Sequence, residues 1–351
     1  MGKRIVILAG GTGGHVFPAL AVAQAMREQG WQVTWMGTQK GLESRVVPEQ
    51  GIAIDWLPVA GIRGKGLLAK GKALLLLLAA LVAAWRILNR RKPQVVLGLG
   101  GFVAGPGGVA AKLLGIPLVI HEQNRIPGTT NRLLAKLATQ VLEAFPNSFK
   151  PQSQAICTGN PLRTAFLQNL AGKPDSQDSS THILIVGGSL GAKVLNEVVP
   201  EAMAQLEQVK VWHQTGADMQ AQVEKHYLAL AVDAKVSAFI EDMASAYAWA
   251  DLVVCRAGAM TVSEVAAAGV PAIFIPLPHA IDDHQVANAR YLTDAGAGQL
   301  LLQKDLTPAS LLACIKLMMA QLDTTAQSVK ALARLDATEL VVQTCIDKAK
   351  P

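Results

Sequence analysis

Short apolar runs, most of them closing on glycine or a polar residue, recur along the chain. They predict buried strands at 5–10 (IVILAG), 32–37 (QVTWMG), 95–100 (VVLGLG), 117–123 (PLVIHEQ) and 140–145 (QVLEAF). A second set follows at 182–188 (HILIVGG), 210–216 (KVWHQTG), 251–258 (DLVVCRAG) and 271–277 (PAIFIPL). Helical spacing fills several of the intervals. Near-continuous apolar strands alternating with helices predict an α/β fold with parallel sheets covered on both faces. The two sets also resemble each other: IVILAGGTGG at 5–14 matches ILIVGGSLGA at 183–192, and LLGIPLVI at 113–120 matches AAGVPAI at 267–273. Two copies of a Rossmann-like unit predict two domains whose sheets face across a deep cleft. The join falls either at Gly159–Pro161 or in the polar stretch Lys173–Thr181.

One run breaks the alternation. Ala73–Trp85 (ALLLLLAALVAAW) is apolar on every face, yet as a helix it would reach only about 20 Å, short of the ~30 Å hydrocarbon core of a bilayer. It is either a buried core helix or a helix that presses surplus leucines into a membrane interface. Charge favours the second reading. Residues 1–160 carry a net +12 and residues 161–351 a net −6, with no acidic residue between Asp55 and Glu122. Arg63, Lys65, Lys70 and Lys72 precede the apolar run; Arg86, Arg90, Arg91 and Lys92 follow it. Leu75, Leu78, Leu81, Trp85 and Arg86 are therefore the candidate contacts with an anionic membrane surface. Nucleic acid is a weaker partner for this charge, because no aromatic residues are interleaved with it.

With 351 residues, 51% of them hydrophobic, the chain can bury two ordinary cores. Cys157, Cys255, Cys314 and Cys345 are far apart and form no CxxC pair, which argues against a disulfide framework or a cysteine zinc site. Residues 1–8 read as a strand running into glycines rather than as a signal peptide, so a cytosolic setting is expected.

Chemistry concentrates in glycine-rich turns. GGTGGH (10–15) joins a strand to a helix, where backbone N–H groups and the helix terminus can meet an oxyanion. The dinucleotide fingerprint fails here: Val16 stands where the third glycine belongs, and QVTWMG ends without the acidic residue that holds a ribose. The P-loop lysine is also missing. GGFVAGPGG (100–108), GGSLGA (187–192) and RAGAMTVSE (256–264) repeat the device, and together the four loops point to a nucleotide diphosphate. His15 follows the first loop directly and has the chemistry of a general base. His121, Glu122 and Asn124 leave the end of another strand. His279, Asp282, Asp283, His284 and Gln285 crowd one later loop, but no DxD motif occurs anywhere. Sugar hydroxyl recognition is the preferred reading there, and no metal site is expected.

Several of these pieces, together with others, make up a wider pattern. GGTGGHVFPALAVA, GIRGKG, GGFVAGPGG, HEQNRIPGTTNR, GNPLR, GGSLGA, YAWADLVVCRAGAMTVSE and DDHQVANA run from residue 10 to 289, and in that order they resemble the MurG family of UDP-N-acetylglucosamine transferases, glycosyltransferase family 28. The resemblance implies a GT-B fold: a first domain over 1–160, a second over 161–335, and a helix over 336–351 returning to the first. It implies transfer of N-acetylglucosamine from UDP-N-acetylglucosamine to the C4 hydroxyl of undecaprenyl-pyrophosphoryl-N-acetylmuramyl pentapeptide, with inversion, at the cytoplasmic face of the bacterial inner membrane. It places donor contacts at Thr12, Gly13, Gly14, Asn124, Arg163, Ser189, Ile240, Ala259, Met260, Thr261, Val262, Ser263, Glu264 and Gln285. His15 is the candidate base. Gly11, Gly101, Gly105, Gly107 and His121 are the candidate contacts for the acceptor's pyrophosphate. The start of the helix at Ala259 would do for the diphosphate what a DxD-bound cation does elsewhere. No cofactor is then required, although a divalent cation can stimulate product release without a dedicated site. Other cell-wall synthesis proteins are candidate partners. Leu190 departs from the family pattern, where glutamine is common. The competing readings are a GT-B enzyme acting on another lipid, such as a diacylglycerol, and a non-catalytic nucleotide-sugar sensor. HEQNRIPG and GIRGKG weigh against the former; His15, Glu264 and Gln285 weigh against the latter.

Overall fold

The computed structural model describes residues 2–59, 67–170, 179–188, 191–278 and 283–351. GIRGKG, Ser189, Leu190, His279, Asp282 and most of the Lys173–Thr181 stretch lie outside the described residues. The chain divides into two compact units, one of Met1–Arg163 with Asp336–Pro351 and the other of Thr164–Leu335.

The first unit holds a parallel sheet of β1 (Arg4–Ala9), β2 (Gln32–Gly37), β3 (Ala53–Trp56), β4 (Val95–Gly100), β5 (Leu118–Glu122), β6 (Gln140–Glu143) and β7 (Ile156–Cys157). Its spatial order is β3-β2-β1-β4-β5-β6-β7. The helices are α1 (Gly13–Glu28), α2 (Glu43–Glu49), α3 (Leu67–Arg91), α4 (Gly101–Leu113) and α5 (Thr129–Leu134). The apolar strands bury both faces. Ile5, Ile7, Val95 and Leu97 point to one side, toward Val22 and Met26 of α1, while Val6, Leu8, Val96 and Ile120 point to the other, toward α3 and α4.

The second unit repeats the plan. After α6 (Thr164–Asn169) come β8 (Thr181–Val186), α7 (Lys193–Met203), β9 (Val209–Gln214), α8 (Gln220–Ala229), β10 (Ala234–Ser237) and α9 (Met243–Trp249). Then follow β11 (Leu252–Cys255), α10 (Ala259–Ala268), β12 (Ala272–Phe274), α11 (His284–Thr293), β13 (Gln299–Leu300), α12 (Pro308–Met319) and α13 (Leu322–Ala331). The sheet order is β10-β9-β8-β11-β12-β13, again parallel. In each unit the strand order reverses beside the first strand, between β1 and β4 and between β8 and β11. Helices leave in opposite directions there, which opens a crevice at the carboxyl ends of the strands.

The last helix, α14 (Ala337–Lys348), belongs to the first unit. Val341, Val342 and Cys345 are buried in its core, and the Thr338 hydroxyl donates to the Leu162 carbonyl at 2.8 Å. A helix of 12 residues is marginal alone, but each buried valine contributes about 1.5–3 kcal/mol, enough to hold it.

Helix α3 runs well beyond Ala73–Trp85, and that run has one buried face and one exposed face. Ala80, Ala84, Ile87 and Leu88 are buried, whereas Leu75, Leu76, Leu77, Leu78, Val82 and Trp85 are exposed, Leu75 at 68%. Two of the flanking cations are used internally, since Asp55 of β3 pairs with Arg90 at 2.6 Å and Arg91 at 2.8 Å. Among the described residues no helix is long and apolar enough to cross a membrane.

Candidate active site

In the first unit the chain leaves β1 through Gly10 and Gly11 and enters α1 at Thr12. Thr12 is extended (φ −105°, ψ 162°) and its side chain makes no cap, so the first-turn amides of Gly13 and Gly14 head the helix with no acidic residue in that turn. Positive potential therefore gathers at that turn. Two glycines where the neighbouring β4 passes into α4 allow the loop to close. Gly101 has φ +77°, and a Cβ there would land on the Gly10 carbonyl; a Cβ on Gly100 would stand 3.0 Å from the His15 ring. Only glycine lets β4 approach this near. Underneath, the wholly buried Glu43 accepts the Gly11 N–H at 2.9 Å and the Thr38 N–H and hydroxyl at 2.8 Å each. Nothing in the periodicity of the chain marks Glu43, because its partners lie in loops.

His15 is half-buried in the first turn of α1, with its Nδ1 2.8 Å from Oε1 of Gln123. Gln123 Nε2 lies 3.0 Å from His121 Nδ1 and 3.1 Å from the His121 carbonyl, and His121 Nε2 lies 2.9 Å from the Gly159 carbonyl. This corrects one expectation: His121 is wholly buried with both ring nitrogens engaged, so its ring does not offer an acceptor contact. Burial holds it neutral, with its pKa pushed down to about 4. Gly107 is a second correction. It lies buried on α4, where a Cβ would stand 2.7 Å from Leu8 Cδ1, so its lack of a side chain serves helix–strand packing. Gly11, Gly101 and Gly105 remain at or near the surface.

Glu122 points to the other side of β5. Its Oε1 accepts the Asn124 N–H at 2.9 Å, and its Oε2 accepts the Gly128 N–H and Asn131 Nδ2 at 3.0 Å each. This buried carboxylate sets the loop that presents Asn124. Arg163, at the end of this unit, is exposed, with its guanidinium 6.0 Å from the Phe17 ring centroid.

In the second unit the matching loops follow β8 and β11. Gly191 has φ +73°, and a Cβ there would land on the Thr215 carbonyl. Helix α10 starts at Ala259 after an extended Gly258 without a side-chain cap, so Ala259, Met260 and Thr261 form its first turn. A cavity of 610 Å³ opens here, with Gly188, Lys193, Arg256, Thr261 and Gln285 among its lining residues. Gln285 Oε1 accepts the Leu277 N–H at 2.9 Å and the Ala257 N–H at 3.3 Å, which ties two strand ends together. Arg256 was not among the expected contacts. Its Nη1 donates to the Ile275 carbonyl at 3.0 Å, which fixes the guanidinium at the cavity wall.

Val262 is buried, and Ser263 and Glu264 are half-buried on α10. Glu264 Oε2 accepts the hydroxyl of the buried Tyr247 at 3.2 Å and stands outside the cavity wall. Burial together with Glu264 raises the Tyr247 pKa and that of the Cys255 thiol, which leaves Cys255 inert as a nucleophile. Ile240, in the loop after β10, has a buried side chain, so only its backbone can meet a ligand. Thus Thr12, Gly13, Gly14, His15, Asn124 and Arg163 lie in the first unit, and Ile240, Ala259–Glu264 and Gln285 in the second.

A separate apolar surface lies on the first unit. The exposed face of α3 continues into a 360 Å³ groove whose wall includes Leu77, Leu78, Leu81, Phe102, Leu133 and Leu137. Arg86 is exposed beside Trp85.

The chain matches the glycosyltransferase family 28 N-terminal domain over residues 5–143 and the family 28 C-terminal domain over residues 182–343. It is 56% identical to the UDP-N-acetylglucosamine–N-acetylmuramyl-(pentapeptide) pyrophosphoryl-undecaprenol N-acetylglucosamine transferase of Methylococcus capsulatus, over 99% of both chains. The protein of the same description from Shewanella loihica is 49% identical over 98% of this chain and 96% of its own. Among solved structures, the MurG crystal structure from Acinetobacter baumannii superposes with a TM-score of 0.85 at 43% identity, covering 98% of this chain and 99% of that one. CalG4, the calicheamicin glycosyltransferase, superposes at 0.72 with 16% identity, covering 99% of this chain and 98% of that one, a likeness of fold alone.

Burial of His121, and of His213 with its pKa pushed down to about 3, has a pH consequence. Both rings stay neutral in the fold, whereas exposed histidines protonate near ~6.5, so the unfolded chain binds more protons below that pH. Stability should therefore fall as pH drops from 6.5 toward 4, by about 3 kcal/mol for His121 alone. Urea unfolding at a series of pH values reads this slope. His121→Gln should flatten it by up to one proton; an unchanged slope would show that the ring does not titrate on unfolding.

Proposed function

The chain belongs to the MurG transferases of glycosyltransferase family 28 and moves N-acetylglucosamine from UDP-N-acetylglucosamine to lipid I, giving lipid II for peptidoglycan, and we propose that its two units divide this reaction. The second unit holds the UDP of the donor. Backbone amides at Ala259–Thr261 receive the diphosphate at the head of α10, Glu264 takes the ribose, and the Ile240 backbone meets the uracil edge. Asn124 and Gln285 bind the sugar, and Thr12, Gly13, Gly14, Arg163 and Ser189 complete the donor set. The first unit holds the acceptor's pyrophosphate at Gly11, Gly101 and Gly105.

The observation that carries the chemical reading is the place of His15: first turn of α1, beside the strand-order reversal, half-exposed, with one ring nitrogen already engaged. In this mechanism His15 takes the proton from the acceptor's C4 hydroxyl as that oxygen attacks the anomeric carbon. The carbon–oxygen bond to UDP breaks on the opposite face, and UDP leaves with the electron pair. Negative charge then grows on the diphosphate, where the fixed amides of α10 are aimed. A single displacement gives the β-1,4 bond with inversion and needs no covalent intermediate.

For the membrane, the exposed leucines of α3, Trp85 and Arg86 support peripheral contact with an anionic surface at the cytoplasmic face of the inner membrane. Each cation near such a surface adds about 1 kcal/mol, so attachment is reversible. The acceptor is itself lipid-linked, which gives this surface a purpose.

Transfer of labelled N-acetylglucosamine to a lipid I analogue, with a diacylglycerol acceptor alongside, tests the reading directly; product from lipid I alone is expected. In that assay His15→Ala should lower kcat by about 10²–10⁴, and an unchanged kcat removes His15 from the chemistry. Glu264→Ala should raise the donor KM by about 10- to 100-fold, the worth of a hydrogen bond to a charged group; an unaffected KM would sink the ribose assignment. Changing Leu75 and Leu78 to Ser should release the protein from anionic vesicles without loss of its circular dichroism. Undiminished vesicle binding would remove α3 from the membrane contact.

A further inference from the structure

We propose that a buried relay, Gly159 carbonyl to His121 to Gln123 to His15, fixes the tautomer of His15, keeping its proton on Nδ1 and turning the lone pair of Nε2 to the substrate. Gln123 and His121 are then positioning residues for the base. The inference rests on the reading of His15 as the base and extends it to what makes the ring competent.

The relay follows from which atoms can donate. A backbone carbonyl only accepts, so the Gly159 oxygen at 2.9 Å requires a proton on His121 Nε2. The His121 ring is buried and neutral, which leaves its Nδ1 as a bare acceptor. Gln123 must therefore turn its Nε2 toward that nitrogen, at 3.0 Å. A second acceptor makes the same demand independently: the His121 carbonyl lies 3.1 Å from Gln123 Nε2. An amide rotated by half a turn would set its oxygen against two acceptors at once. The orientation of this side chain, often ambiguous for a glutamine, is thus decided by its surroundings. Its Oε1 then faces His15 Nδ1 at 2.8 Å and can only accept, so Nδ1 carries the proton. In a neutral imidazole the other nitrogen is the base.

The backbone makes the relay possible. His121 and Gln123 are two residues apart at the end of β5 and share a face, whereas Glu122 points away into its own bonds with Asn124, Gly128 and Asn131. A carboxylate is available in the sequence, yet an amide is placed behind the ring. An amide fixes the tautomer without putting a charge of its own behind the ring. Gln123 is 1% exposed, so water does not compete for the His15 proton from that side.

Histidine labelling with ¹⁵N and long-range ¹H–¹⁵N correlation reads the tautomer of each ring, and the His15 signals are assigned by their loss in His15→Gln. The expected result is a protonated Nδ1 and a bare Nε2 in the unaltered protein. The reverse pattern, or rapid averaging between the two, overturns the proposal; the reading needs His15→Gln to fold, on a half-exposed site, but needs no activity from it. Gln123→Met keeps the volume and removes the acceptor. It should mix the His15 tautomers and lower kcat by about 10- to 10³-fold while the donor KM stays within about twofold. An unaltered tautomer in that variant would assign Gln123 to packing alone. A kinetic result separates the two ideas: full activity of His15→Ala removes the base and leaves the tautomer measurement standing.

Discussion

The reversal of strand order beside β1 and again beside β8 is the constraint on which the rest depends. Parallel strands need crossover connections, and where those connections turn opposite ways the helices start on opposite faces of the sheet and leave a crevice at the strand ends. At that point the fold needs residues that let backbone approach backbone. Gly101 lies on the Gly10 carbonyl and Gly191 on the Thr215 carbonyl, one such contact in each unit. The starts of α1 and α10 have no side-chain cap and no acidic residue in the first turn, so no side-chain charge of the turn itself opposes the positive ends of these helices.

Holding such loops requires buried polar anchors, and each unit of chemistry in the first half has one. Glu43 ties down Gly11, Glu122 sets the turn that carries Asn124, and Gln123 backs His15. A buried carboxylate is costly unless its lone pairs are used, and these two accept three or more hydrogen bonds each. Networks of this kind are rigid because no member can move without stranding another. Rigidity is what a base and an anion cradle require, since a shift of about 1 Å can cost a hundredfold in rate.

The central strands, the glycine turns and the leucine-rich helix were legible because each is a local pattern: a run of one composition followed by one kind of turn. Strands β3, β7, β10 and β13 were not, because they are short and only partly buried, so their residues show neither a continuous apolar run nor a clean alternation. The anchors were illegible for a different reason. Gln123 meets His15 across 108 residues and Glu43 meets Gly11 across 32, distances over which no spacing rule applies. His121 and Gly107 mislead for the same cause. A histidine at a strand end and a glycine in a glycine-rich run look like ligand contacts until burial shows one facing a carbonyl and the other facing Leu8.

Helix α4 links the proposed acceptor loop to the apolar surface. Gly101 begins it against the first glycine turn; the next residue, Phe102, is 61% exposed and lies in the wall of the groove that α3 extends. On the proposed reading, a pyrophosphate at the head of α4 carries a polyprenyl chain that must leave toward apolar surroundings, and those begin one residue away. The charge pattern fits the same arrangement. Asp55 pairs with Arg90 and Arg91 at the far end of α3, and Arg86 stands exposed beside Trp85 and the exposed leucines. A surface that only packed against protein would have no need to keep a guanidinium next to that much exposed hydrocarbon, whereas a leaflet with anionic headgroups above and acyl chains below matches both.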